Sequence, residues 1–222
     1  MRKLGLIASS IAASDLGQIK EEVRRIDAAG ADLIHIDIMD GVFVPNITFG
    51  PWILDVVRSV SELPLDCHLM VSRPQDWIPL LAQAGANTIT VHIESTPHMH
   101  RQIETIKKFG KRAGVSFNPG NPVSEVEELL EWADVVQVMG VDPGFSGQEF
   151  LPNALRKVRR LQDLRETRKY DIEIDGGVNL DNIGIIHEAG ADIFVLGSYI
   201  FSHPDPVAIV ADLKNRLNRD KS

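Results

Sequence analysis

The stretch Leu33–Gly41, reading LIHIDIMDG, sets an imidazole and two carboxylates into an otherwise apolar run. Leu33, Ile34, Ile36 and Ile38 give it strand character, and residues two apart along a strand face the same way. His35, Asp37 and Met39 therefore share one face at the C-terminal end of a run that reads as deeply buried. An ionised carboxylate buried without a partner costs several kcal/mol, so a cation or a reaction must account for Asp37.

The elements that could bring partners to this pair come from the rest of the chain. Short apolar runs recur at Leu4–Ser10, Leu33–Met39, Leu65–Met70, Thr88–His92, Ala113–Asn118, Val135–Met139, Asp171–Asp175 and Ile193–Gly197. Helix-patterned segments such as Asp15–Ala29 and Pro152–Leu164 lie between them. Pro51, Pro74, Pro122 and Pro206 stand where first helical turns begin. Strand signals each followed by a helix signal, with no linker, predict one α/β domain over residues 1–222: a closed (β/α)8 TIM barrel. An internal echo, Ala29-Gly30-Ala31-Asp32, Ala84-Gly85-Ala86-Asn87 and Ala189-Gly190-Ala191-Asp192, reads as glycine-capped turns at the N-terminal rim, a place for stability rather than chemistry.

Chemistry in such a barrel belongs at the C-terminal strand ends. Counting back by alternate residues gives an inward set of Ser10; His35, Asp37 and Met39; His68 and Met70; His92; Asn118; Met139; and Asp175. Two histidines and two carboxylates from three strands suit Zn²⁺ or a similar divalent ion, against the alternative of a hydrogen-bonded polar core. His92 is expected in the polar core, and His98, His100, His187 and His203 at the surface. The sixth strand runs into Asp142-Pro143-Gly144-Phe145-Ser146-Gly147-Gln148, whose glycines let backbone amides approach a ligand and whose length suits a lid. The next two strands end in Asp175-Gly176-Gly177 and Gly197-Ser198, the usual place for a phosphate cradle. No lysine stands at a strand end, which removes the nucleophile of Schiff-base aldol chemistry. Met39 occupies the place where barrels with an Asp-x-Lys-x-x-Asp strand end need lysine, and no Gly-x-Gly-x-x-Gly follows the first strand.

Bulk properties bound the rest. The chain has 222 residues, 44% hydrophobic and 24% charged, with a formal net charge of −8, which argues against a broad nucleic-acid or anionic-membrane surface. Cys67 is the single cysteine, so no intrachain disulfide forms, in keeping with a reducing compartment. Residues Met1–Ser14 lack a signal-peptide pattern and no apolar run reaches transmembrane length, so a cytoplasmic protein is expected, its tail after Leu217 polar and frayed.

From about Ile7 to Phe201 the sequence resembles the ribulose-phosphate 3-epimerase family. The resemblance rests on Ser10, on His35 to Gly50 (HIDIMDGVFVPNITFG), on Leu65 to Met70 (LDCHLM), on Asp142 to Gln148 (DPGFSGQ), and on Asp175-Gly176-Gly177 and Gly197-Ser198. It implies a phosphate-binding barrel that interconverts ribulose 5-phosphate and xylulose 5-phosphate. By that resemblance His35, Asp37, His68 and Asp175 hold a divalent metal, Zn²⁺ first, with Fe²⁺, Mn²⁺ or Co²⁺ as alternatives. Asp37 and Asp175 are then also the acid–base pair, as C3 inversion requires: one carboxylate takes a proton and the other returns one on the opposite face. The expected substrate-contacting set is Ser10, Met39, His68, Met70, Met139, Gly144, Phe145, Ser146, Gly147, Asp175, Gly176, Gly177, Gly197 and Ser198. The three methionines read equally as a water-excluding wall or as barrel packing. The family implies a homo-oligomer, dimer or hexamer. Ser9, Gly140, Ser146 and Tyr199 stand where the family commonly has proline, Ser or Thr, glycine and alanine. The stretch Pro64–Ile78 and Val141-Asp142-Pro143 also resemble the allulose-6-phosphate 3-epimerase branch, while Gly176-Gly177 favours the pentulose branch. A barrel that binds sugar phosphate without turning it over is the third reading.

Overall fold

The structure is a computed structural model and describes residues 5–165 and 168–218. Its parallel strands β1 (Leu6–Ser10), β2 (Leu33–Met39), β3 (Leu65–Met70), β4 (Thr88–His92), β5 (Arg112–Phe117), β6 (Val135–Met139), β7 (Asp171–Asp175) and β8 (Ile193–Leu196) pair in chain order, and β8 closes on β1. Strands β2, β3, β4, β6 and β7 have the bounds expected from the sequence. Leu4, expected in the first strand, lies outside the described residues. Helices α1 (Ile19–Ala28), α2 (Trp52–Arg58), α3 (Pro74–Gln83), α4 (Met99–Lys108), α5 (Asn153–Leu164), α6 (Ile183–Ala189), α7 (Ser198–Phe201) and α8 (Pro206–Asn218) surround the barrel.

The alternation predicts a helix between β5 and β6, but the segment forms two 3-10 turns, Val123–Glu125 and Glu127–Glu131. Glu125, Glu127, Glu128 and Glu131 put like charges three and four residues apart, a spacing that opposes an α-helix.

Strand parity sorts two cores. Ile34, Ile36 and Ile38 of β2 and Leu65, Cys67 and Leu69 of β3 face the helices and join one continuous apolar layer. Ala8, Leu33, Ile193 and Val195 plug the barrel interior near its N-terminal end. The remaining inward residues of β2, β3 and β7 include His35, Asp37, Asp66, His68, Glu173 and Asp175, with Met39 and Met70 at the strand ends, so the upper barrel is built for something other than packing.

The echo at the N-terminal rim is a set of pins. Asp32 accepts from the Ile7 amide at 2.9 Å, Asn87 from Leu65 at 2.8 Å, and Asp192 from Ile172 at 2.8 Å. Asp134, which lacks the echo sequence, does the same to Ala113 at 2.9 Å. Each side chain at the head of an even-numbered strand thus ties down the start of the strand before it. Asn87→Ala is expected to lower unfolding free energy by about 1–2 kcal/mol, an orphaned strand amide being the cost. Thermal melting should register a drop of roughly 2–8 °C with turnover unchanged.

His187 is a correction: expected at the surface, it is 5% exposed and packs edge-on against Phe194, with ring centroids 5.9 Å apart. Its helix α6 also buries Ile183 and Ile186, which places His187 on the same stripe. His98, His100 and His203 are exposed, and His92 is fully buried within the barrel.

Candidate active site

Four residues from three strands converge where the sequence pattern put them. His35, Asp37, His68 and Asp175 each offer a donor atom, all within 4.8 Å of one another. His35 Nε2 lies 3.4 Å from Asp37 Oδ1 and 3.9 Å from Asp175 Oδ2. His68 Nδ1 lies 3.2 Å from Asp37 Oδ1 and 3.3 Å from Asp175 Oδ2. A tetrahedral ion with bonds of about 2.0–2.2 Å needs donor separations of roughly 3.3–3.6 Å, so three of these four spans fall near that range. His35 Nε2 is buried and has no hydrogen-bond partner, although imidazole nitrogens rarely go unsatisfied. The donor set therefore fits a divalent cation.

Supporting groups surround this cluster. Ser10 Oγ donates to Asp37 Oδ2 at 2.6 Å, and Gln137 Nε2 donates to Asp175 Oδ2 at 3.0 Å. Asp66 Oδ2 sits 2.7 Å from His35 Nδ1, which keeps the Nδ1 proton there and leaves Nε2 free as a lone pair. Glu173 Oε1 lies 3.8 Å from the same nitrogen. His68 Nε2 faces His92 Nε2 at 2.8 Å. Asp66, Glu173 and Gln137 were not singled out from sequence, yet each lies two residues before Met139 or a member of the cluster (His68, Asp175) on the same strand face. Applying the alternation one step deeper would have found all three.

Charge explains the stability of this arrangement. Burial would raise the Asp37 carboxyl, but His35 and then His68 outweigh it and hold Asp37 well below the usual carboxylate range. Burial works against charge on His35, yet Asp37 and Asp66 hold that imidazole well above the usual histidine range. His68 is likewise pushed down by burial and drawn above its ordinary value by Asp175 and Asp37. Burial, then the neighbouring Asp66, raise Glu173 well above the carboxylate range and favour its neutral form. The cluster draws positive charge into a dry interior.

Above it opens a cleft enclosing about 610 Å³, its mouth included. Ser10, Asp37, Met39, Met70, Met139, Gly144, Phe145, Ser146, Gly147, Asp175, Gly176, Gly177, Gly197 and Ser198 line it, as does Tyr199. His68, also expected in the substrate-contacting set, is 0% exposed and lies beneath the residues that line the cleft. Met39 and Met70 pack with Val44 into a small apolar cluster. The loop after β6 is tied to the loop after β2 by Asn46 Nδ2 donating to the Gly144 carbonyl at 2.8 Å. Gly140 leaves no room for a side chain, since a Cβ there would lie 2.3 Å from the Gly176 carbonyl.

Comparison with known proteins agrees with this geometry. Residues 6–201 match the model of the Ribulose-phosphate 3 epimerase family. The chain is 45% identical to the ribulose-phosphate 3-epimerase of Aquifex aeolicus, with 96% of each covered. It is 43% identical to that of Bacillus subtilis over 94% of this chain and 97% of the relative. Among solved structures, KGPDC from Streptococcus mutans shares the fold at 14% identity, with a TM-score of 0.76 over 99% of this chain and 100% of that one. The barrel, the buried cluster and the span of these matches make the chain a member of the ribulose-phosphate 3-epimerase family.

Proposed function

We propose that the chain inverts C3 of a 2-ketose phosphate, interconverting ribulose 5-phosphate and xylulose 5-phosphate. The observation that carries this reading is the approach of Asp37 and Asp175, from strands separated by β8 and β1, to one imidazole nitrogen at 3.2 and 3.3 Å. One carboxylate removes the C3 proton beside the C2 carbonyl, and the electron pair moves onto the C2 oxygen to give an enediolate. The other acid returns a proton to the opposite face of C3 while the carbonyl re-forms. Ser10 fixes the second oxygen of Asp37 by donating to Oδ2 at 2.6 Å, which suits that carboxylate to the base role in one direction. The two acids exchange roles when the reaction runs backwards.

His35, Asp37, His68 and Asp175 would hold a divalent cation, proposed as Zn²⁺, whose chemistry is Lewis-acid stabilisation of negative charge on oxygen. Met39, Met70 and Met139 exclude water from the reacting carbon. Backbone amides at Gly176, Gly177, Gly197 and Ser198 serve the phosphate, since among the described residues no lysine or arginine lines the cleft. Gly177→Ala tests that end: its φ is +70° and a Cβ would lie 2.6 Å from the Phe150 backbone. We expect KM for ribulose 5-phosphate to rise about tenfold or more, with a smaller change in kcat, in steady-state assays.

The defining experiment compares rates on ribulose 5-phosphate and allulose 6-phosphate and follows solvent deuterium into C3. Faster turnover of the six-carbon substrate would transfer the reading to the hexulose branch, and turnover without deuterium at C3 would remove the proton-transfer mechanism. Substrate binding without turnover would leave the non-catalytic barrel. Among the described residues no helix is long and apolar enough to cross a membrane. A cytoplasmic location is proposed from the lone, buried Cys67. A single working barrel and assembly into a homo-oligomer complete the proposal, the latter checked by light scattering, where a monomer would remove it.

A further inference from the structure

We infer that His92 and Glu94 are positioning residues for the cation: they fix the proton of His68 on Nε2 and so leave its Nδ1 lone pair free for the metal. The inference rests on the cluster being a divalent-cation seat.

His68 Nδ1 faces Asp37 and Asp175, at 3.2 and 3.3 Å, and Nε2 faces His92 Nε2 at 2.8 Å. Two ring nitrogens so close share one proton, one donating and the other accepting. His92 Nδ1 in turn lies 3.2 Å from Glu94 Oε2, and the Asn118 amide donates to Glu94 Oε1 at 2.7 Å. The Glu94 carboxylate accepts at both ends, so His92 Nδ1 must carry a proton. A neutral His92 then has only a lone pair on Nε2, and His68 must be the donor there. The opposite assignment sets the bare His92 Nδ1 against a carboxylate, two acceptors face to face. Both imidazoles are fully buried, with ring centroids 4.9 Å apart and planes 23° apart, so no water supplies the alternative. Phe43 packs on His92, with centroids 4.9 Å apart. Glu94 thus acts on the cation through two rings while touching none of its ligands' donor atoms, in the way outer hydrogen bonds tune metal ligands elsewhere.

The test uses the full chain loaded with Zn²⁺, a diamagnetic ion, and ¹⁵N-histidine NMR. The expected spectrum has His68 protonated at Nε2 only and His92 protonated at Nδ1 only. A proton on His92 Nε2, or ligation through His68 Nε2, overturns the inference, and this reading needs no variant. Competition against a chromogenic chelator supplies the second arm. Glu94→Ala is expected to bind Zn²⁺ about 10–100-fold more weakly. Glu94→Gln, which can still accept from His92 Nδ1, should recover most of that loss. Wild-type affinity in Glu94→Ala overturns the inference while leaving the cation seat intact. No Zn²⁺ bound by the unaltered protein overturns the seat itself, and this inference with it.

Discussion

Asp175→Asn is expected to lower turnover on ribulose 5-phosphate by about 10³-fold or more, and Asp37→Asn by a similar factor. General acid–base participation accounts for roughly 10²–10⁴ of rate, and loss of a ligand oxygen adds to it. A falling rate alone would not separate proton transfer from cation holding, because each carboxylate has both tasks. The separation comes from solvent deuterium. With Asp175 neutralised, Asp37 still reaches one face of C3, so one epimer should exchange its C3 proton slowly without inverting. Asp37→Asn should show the same behaviour with the other epimer. Proton NMR of each pure ketose in D₂O reads this directly. Equal loss of exchange from both epimers in both variants would reduce the acids to holders of the ion. Ser10→Ala offers a smaller companion, since its hydroxyl contacts Asp37 alone of the pair, at 2.6 Å.

That such a pair can be named from sequence follows from strand parity. In β2 and β3 the outward residues are all apolar and every polar residue falls on the inward parity, so His35, Asp37 and His68 declare their face within their own strands. Asp175 is legible for the same reason, with Glu173 below it. The meaning of Asp66 and Glu173 was harder to see, because a single buried carboxylate in a strand looks the same whether it orients a ligand or begins a loop. Only the closure of the barrel places Asp66 Oδ2 2.7 Å from His35. His92 shows the limit differently. It was assigned to the polar core, and it is buried there, but its link to His68 crosses between neighbouring strands at a register the sequence does not state. His187 and the β5–β6 segment depart from expectation for helix reasons: His187 lies on the buried stripe of α6, and a run of glutamates opposes the helix that the strand–helix alternation and Pro122 predict.

Removing the cation is expected to lower turnover by about 10²-fold or more, reversibly, because the charge of an enediolate then meets two carboxylates with nothing to offset them. Bound metal and rate should be measured on the same samples during dialysis against a chelator, and the two should fall together. Zn²⁺, Co²⁺, Mn²⁺ or Fe²⁺ should restore activity, whereas Mg²⁺ should do so poorly, since half of the donor set is imidazole and Mg²⁺ favours oxygen. His35→Ala should resist rescue by any of these ions. That substitution deletes a ligand, and it also strips Asp66 Oδ2 of its 2.7 Å partner in a fully buried site. Breaking a buried pair this way costs about 3–5 kcal/mol, so His35→Ala should also melt earlier than the metal-stripped wild type. Full turnover by protein with metal on only a few per cent of chains would exclude the cation from the reaction. The cluster would then be an imidazole–carboxylate network whose job is to set the protonation of Asp37 and Asp175.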